Sequence, residues 1–203
     1  MRFFSLGTFN VRGLNDNQKQ TNLSEDVNNL NIDVVALQET KIKEGFDRSQ
    51  GTCRLICHSA ENQHYGTGFI ISPKWANSVY KSWKINDRLS VLQLELDSKP
   101  DRIQRYTCKV KRNRRRPGVV LTRAQRRDLI TIINVYAPTA ELVKQDDSEI
   151  CDIYSKVSAL INEFKQNIVF IVGDFNARVG KRQGELCLGR FSRGHRMSLD
   201  KNC

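Results

Sequence analysis

The sequence predicts one layered α/β domain, and three observations predict it. Short apolar segments of strand length dominate the chain. Two longer segments carry a helical stripe. The most apolar strands each stop on a polar residue that a strand by itself does not require. A chain of 203 residues with a hydrophobic fraction of 39% suits one large domain with a substantial core. It reads as globular, neither fibrous nor disordered.

Residues 3–11 read as a first strand, closing on Asn10. Residues 17–30 are polar apart from Leu23, Val27 and Leu30, whose spacing of four and three marks one face of a helix. Asp33-Val34-Val35-Ala36-Leu37 is a continuous apolar run, the mark of a strand buried on both faces, and Gln38-Glu39-Thr40 follows it. Further strands are expected at 53–58, 66–72, 77–84 and 89–96. The last alternates only in part, which predicts an antiparallel strand covered on one side. A strong strand at 129–135 runs into Tyr136-Ala137-Pro138. Residues 146–166 align Ile150, Ile153, Tyr154, Val157, Leu160, Ile161 and Phe164 on one stripe and predict a second helix. Ile168 to Val172 is a last apolar run, expected to be buried, that leads into Gly173-Asp174-Phe175-Asn176. Neither an internal repeat nor a linker divides the sequence, so residues 1–203 are read as a single domain.

The charge is concentrated. Thirty-three basic and 22 acidic residues leave a net charge of +11, and the window from Lys99 to Arg127, with twelve basic residues and one acidic, accounts for all of it. Its densest part, Lys109 to Gly118, lacks helical or strand periodicity and ends in a Pro-Gly breaker. Lys111, Arg112, Arg114, Arg115 and Arg116 are candidate contacts to a nucleic-acid backbone, because each cation set on a phosphate releases condensed counterions. A solvated loop or a nuclear-localisation stretch has the same composition. The six cysteines (53, 57, 108, 151, 187, 203) form no CxxC pair and no metal-ligand spacing, so reduced thiols in an intracellular protein are expected and a zinc site is not. No apolar run approaches the roughly 20 residues of a membrane span. The stretch Met1 to Arg12 turns polar too soon for a secretory signal.

Asn10, Glu39, Tyr136, Asp174 and Asn176 are the polar residues at the ends of apolar strands, and such ends can converge on one edge of a layered α/β domain. Glu39 offers a hard oxygen ligand suited to Mg²⁺ or Mn²⁺, and Asn10 a carbonyl ligand or a holder of metal-bound water. Asp174 suits a group that orients and deprotonates a water, while Asn176 and Tyr136 suit donors to a phosphate oxygen. A divalent ion beside such a water is the equipment of metal-assisted phosphoester hydrolysis. Singly, each residue also suits a turn or a solvent-facing strand end; the set carries the reading.

Thr8-Phe9-Asn10-Val11-Arg12-Gly13-Leu14, Leu37-Gln38-Glu39-Thr40-Lys41, Gly66-Thr67-Gly68-Phe69, Asn134-Val135-Tyr136-Ala137-Pro138-Thr139 and Gly173-Asp174-Phe175-Asn176-Ala177 occur in this order. Together they resemble the motif series of the endonuclease/exonuclease/phosphatase superfamily. Within it they are most similar to the apurinic-like endonuclease domains of non-LTR retrotransposons and to the group that includes craniofacial development protein 2. The resemblance spans about residues 5–180. It implies a deoxyribonuclease-I-like, four-layered α/β (α+β) sandwich of two packed mixed sheets flanked by helices. It also implies Mg²⁺- or Mn²⁺-dependent cleavage of phosphodiesters, in these relatives nicking of DNA. Carried over, Glu39 is the metal ligand and Asn10 supports it; Asp174 aligns the attacking water; Asn176 and Tyr136 contact the scissile phosphate.

The family continues into further strands that bear a metal-holding aspartate and a Ser-Asp-His motif. Against that pattern this sequence, ending at Cys203, is expected to lack the last strands and to turn over weakly or not at all. His58, His64 and His195 take no place in the pattern, and the basic window is an insertion at about 99–127. The resemblance thus implies a nuclear DNA partner, no membrane and no obligate protein partner. Two alternatives stand beside it: a phosphatase of lipid or inositol phosphates, against which the wording of the Asn10 and Tyr136 motifs argues, and a non-catalytic module that holds nucleic acid through residues 99–127.

Overall fold

A computed structural model describes residues 4–96, 128–139 and 148–177 of the chain. Each apolar run of the sequence that falls within them is a strand. Leu6–Asn10 (β1), Val34–Gln38 (β2), Thr67–Ile71 (β5), Cys53–Cys57 (β4) and Phe46–Gln50 (β3) lie side by side in that order. Val79–Asn86 (β6), Leu89–Glu95 (β7), Leu129–Tyr136 (β8) and Ile168–Asp174 (β9) form a second sheet in sequence order. One parallel pair in each sheet, β1 with β2 and β8 with β9, makes both sheets mixed.

Two helices cover the outer faces. Asn17–Asn29 (α1) starts where Asp16 accepts a hydrogen bond from the Gln18 amide, satisfying one of the N–H groups that a helix start leaves open. Its Leu23 and Val27 bury against Val35, Leu37, Leu55 and Ile70 of the first sheet. Ser148–Glu163 (α2) sets Ile153, Val157 and Leu160 on Leu89, Val91, Ile133 and Val135 of the second. Between the sheets lies a third apolar core of Val34, Ala36, Phe69, Ile71, Leu92, Leu94, Ile130 and Ile132. The order helix, sheet, sheet, helix is the expected four-layered architecture.

Several elements differ from expectation. β3 was not foreseen: its Phe-Asp-Arg-Ser-Gln is mostly exposed, and it forms because it pairs with β4, with Asp47 gripping Arg54 at 2.7 and 2.8 Å. β7 is covered on both faces, not one. Its polar Ser90 and Gln93 are themselves buried, at 0% and 6% exposure, so the imperfect alternation marked two covered faces. β9, expected to be buried, leaves Ile168, Phe170 and Ile171 between 37% and 52% exposed, because among the described residues it pairs with β8 alone. Cys53 and Cys57 are free and buried, but Cys151 is disulfide-bonded. The expectation of six reduced thiols therefore fails there, since spacing along the chain does not show which cysteines a fold brings together. No helix among the described residues is long and apolar enough to cross a membrane.

The arrangement that positions the site is a set of rows. Facing the interior, β2 carries Val34, Ala36 and Gln38; β5 carries Ile71, Phe69 and Thr67; β7 carries Leu94, Leu92 and Ser90; β8 carries Ile130, Ile132 and Asn134. The sheet register places Gln38 level with Thr67 and Asn134 level with Ser90. With side chains alternating along each strand, four strands switch from apolar to polar at the same height. Asn10 at the end of β1 stands level with Gln38, and Glu39, Tyr136 and Asp174 lie just beyond that height.

Candidate active site

All five strand-end residues singled out above lie within one hydrogen-bonded group or the loop beside it. The Asn10 amide donates through the same nitrogen to Glu39 Oε1 at 2.6 Å and to Asp174 Oδ2 at 3.0 Å. The Tyr136 hydroxyl donates to Glu39 Oε1 at 3.1 Å. Asn176 donates its backbone N–H to Asp174 Oδ1 at 3.0 Å and its side-chain amide to the Ala137 carbonyl at 2.7 Å. These contacts join β1, β2, β8 and β9, and so join the two sheets.

The backbone carries strain at this edge. Glu39 has φ 53°, Lys41 57°, Arg12 49° and Asn176 45°. Such left-handed conformations cost a non-glycine residue roughly 1–3 kcal/mol each and collect at functional sites. The bend at Glu39 lets the Gly13 and Leu14 amides bond the Glu39 and Thr40 carbonyls at 2.7 and 2.9 Å. That pairing holds the loop after β1 against the loop after β2.

Sequence reasoning missed three residues. Arg88 is 3% exposed, with its guanidinium 3.8 Å from the Tyr65 ring centre and 4.9 Å from that of Tyr136. Its Nε bonds Glu149 at 2.7 Å, and its carbonyl accepts the Tyr136 N–H at 2.8 Å. Tyr65 meets Tyr136 edge-on at 6.1 Å. Lys41 Nζ lies 3.6 Å from Glu39 Oε2. Arg88 and Tyr65 continue the inward rows of β7 and β5 by two residues, which is the signal that locates them. Burial, reinforced by the Glu39 charge and hydrogen bond and opposed by Arg88, pushes the Tyr136 phenol up to about 12. Tyr136 therefore stays a donor at neutral pH.

The donor set suits a hard divalent cation. Two carboxylates, Glu39 and Asp174, converge on one amide, and among the described residues only Lys41 forms an ion pair with either. Among the described residues no group of three or more histidine, cysteine or acidic side chains forms a metal cluster. An ion held by one or two carboxylates that otherwise keeps its waters, as Mg²⁺ does, fits this set. Zinc, whose protein sites are built chiefly from cysteine and histidine, does not.

His58 stands apart from the site: its Nε2 is 3.0 Å from Ser82 Oγ and its ring packs on Phe69. His195 and the candidate nucleic-acid contacts Lys111, Arg112, Arg114, Arg115 and Arg116 lie outside the described residues. The basic window leaves the sheet beyond β7 and returns just before β8, where the Leu96 N–H bonds the Asp128 carbonyl at 2.9 Å. Those anchors sit at the opposite end of the two strands from Arg88 and Tyr136, roughly 27 Å away at about 3.4 Å per residue.

Comparison with known proteins bears on this geometry. A family model described as the endonuclease/exonuclease/phosphatase family matches residues 7–195. Craniofacial development protein 2 of Tragulus javanicus and that of Bos taurus are each 23% identical over 193 residues, covering 94% of this chain but 28% and 27% of theirs. The chain thus spans little more than a quarter of the length of those relatives. Among solved structures, humanized D. rerio TDP2 with 14 mutations superposes with a TM-score of 0.52 at 16% identity, covering 86% of this chain and 67% of that one. That likeness speaks for the fold.

Proposed function

Because this chain belongs to the endonuclease/exonuclease/phosphatase family, we propose that its strand-end site is a divalent-metal-dependent phosphodiesterase acting on DNA. The observation that carries the proposal is the Asn10 amide bonded at once to Glu39 and Asp174, with the Tyr136 hydroxyl on Glu39. Glu39, supported by Asn10, would hold Mg²⁺ or Mn²⁺, which when bound polarises the phosphoryl group and offsets its developing charge. Asp174, fixed by the Asn176 and Asn10 donors, orients a water and accepts its proton. Asn176, through its second amide hydrogen, and Tyr136, by turning its one hydroxyl proton from Glu39, donate hydrogen bonds to phosphoryl oxygens.

Arg12 and Lys41, on adjacent strained loops, line the approach with positive charge and favour a polyanionic substrate. We extend the proposal to Lys111, Arg112, Arg114, Arg115 and Arg116 as a backbone-binding segment anchored at the far end of the sheet, and to a nuclear location.

The test is nicking of supercoiled plasmid by the purified chain with Mg²⁺, with Glu39→Ala and EDTA as controls. Nicking that both controls abolish supports the proposal. Release of phosphate from an inositol phosphate without nicking assigns the site to the phosphatase alternative. Salt-sensitive DNA binding that survives Glu39→Ala with no cleavage by the folded chain makes it a binding module.

A further inference from the structure

Beneath the site, the two sheets are joined by a hydrogen bond between buried amides. Gln38 Nε2 donates to Asn134 Oδ1 at 2.6 Å, and Asn134 Nδ2 donates to the Leu37 and Gly68 carbonyls at 2.9 and 3.1 Å. Thr8 Oγ1 donates to Gln38 Oε1 at 3.1 Å. Gln38 is 1% exposed and Asn134 0%. One pair therefore ties β1, β2 and β5 of the first sheet to β8 of the second. Amides are a costly choice at this depth, because an apolar pair of similar shape removes the desolvation penalty.

Their place explains the choice. Gln38 precedes Glu39 by one residue, and Asn134 precedes Tyr136 by two, so each amide stands at the root of one member of the Glu39–Tyr136 hydrogen bond. Apolar surfaces slide past one another at little cost, whereas a directional bond of 2.6 Å fixes register. The layer continues sideways into Thr67 and Ser90, each level with one of the amides.

We propose that Gln38 and Asn134 are positioning residues: their bond sets the height of β2 against β8, and so the placement of Glu39 against Tyr136 for turnover. The assignment rests on the phosphodiesterase reading of the site. It predicts that stability and turnover come apart. Asn134→Leu alone strands the Gln38 amide and lowers both melting temperature and nicking. The double variant Gln38→Met with Asn134→Leu removes both amides and regains most of the melting temperature of the parent, short of the bonds that Thr8 Oγ1 and the Leu37 and Gly68 carbonyls lose. Its kcat stays about 10²-fold down, the usual cost of a misplacement of about 1 Å, while KM remains within a few-fold of the parent value.

Recovery of kcat together with melting temperature in the double variant would overturn the assignment. A parent chain that neither nicks DNA nor binds Mn²⁺ overturns the phosphodiesterase reading instead. The positioning claim is then decided by a crystal structure of the double variant. Separation of Glu39 Oε1 and Tyr136 OH beyond hydrogen-bond reach supports it, and retention of the 3.1 Å contact refutes it.

Discussion

Gly173 is the residue where the smallest chemical change reaches furthest. It lies in β9 opposite Val135 of β8, at φ 149°, and a Cβ added there would fall 1.8 Å from the Val135 carbonyl oxygen and 2.8 Å from its nitrogen. Ordinary contact begins near 3.5 Å, so Gly173→Ala must displace β9 from β8 by roughly 1.5 Å. The neighbours are backbone, which no rotamer change moves aside. Losing two ladder hydrogen bonds and leaving their groups buried costs about 1–3 kcal/mol each, and the backbone conformation adds about 1 kcal/mol or more. A total of about 3–7 kcal/mol is a large part of the 5–15 kcal/mol that holds a typical domain. The shift also draws Asp174, the next residue, away from Asn10 and Asn176. Urea unfolding with paired nicking assays measures both effects. We expect a fall of at least about 3 kcal/mol and loss of nicking even where the chain remains folded. A variant with a parental unfolding midpoint and parental activity would refute the reasoning, since β9 would then have another path beside β8.

Further outcomes are expected elsewhere. Ser82 Oγ donates to the Val91 carbonyl at 3.2 Å, so His58 Nε2 is the donor in their 3.0 Å contact. Burial and then Lys84, opposed by Asp47, push His58 down to about 4. Because the folded state takes its proton later than the unfolded chain, stability is full above about pH 6.5 and falls as pH drops towards 4. The loss is on the order of 2–3 kcal/mol; chemical unfolding across pH should show it, and His58→Gln should flatten the slope. Arg88→Met keeps the stem but removes the Glu149 bond and the stacking on two tyrosines, and should cost about 2 kcal/mol by urea unfolding. Replacing residues 97–127 by a turn of about four residues should leave the fold intact, because Leu96 and Asp128 already bond. About three halvings of loop length should raise stability by roughly 2 kcal/mol, while the salt dependence of DNA binding falls.

What the sequence showed and what it hid divide along physical lines. β2, β5 and β8 were legible because strands buried on both faces are runs of apolar residues, and α2 because its stripe is strong. β3 was not: Phe46-Asp47-Arg48-Ser49-Gln50 has no pattern of its own and becomes a strand by borrowing the ladder of β4 and an Asp47–Arg54 pair. β9 was legible as a strand but not as an exposed one, since exposure is decided by neighbours and not by its own Ile-Val-Phe-Ile-Val. The disulfide at Cys151 was hidden for the same reason. Asn10, Glu39, Tyr136, Asp174 and Asn176 could be picked out because a polar residue at the end of an apolar strand is locally unexplained. Arg88 and Tyr65 escaped because they stand just outside strands, in segments where charge and aromaticity are ordinary.

The rows supply the rule that finds them. On each of four strands the inward face reads apolar, apolar, polar, then a residue of the Thr40, Tyr65, Arg88 and Tyr136 layer. No strand alone distinguishes that from a frayed end. The pairing registers make it a property of the fold, because Gln38 stands beside Thr67 and Asn134 beside Ser90. A core that turns polar in one transverse layer gives up hydrophobic stabilisation there and gains directional bonds between sheets that otherwise touch through non-directional contacts. Those bonds matter most where residues from both sheets must meet within a few tenths of an ångström, as the Asn10, Glu39, Tyr136 and Asp174 group does. The polar layer is thus the foundation of the site: the apolar layers below it hold the sheets together, and this one fixes how they are aligned.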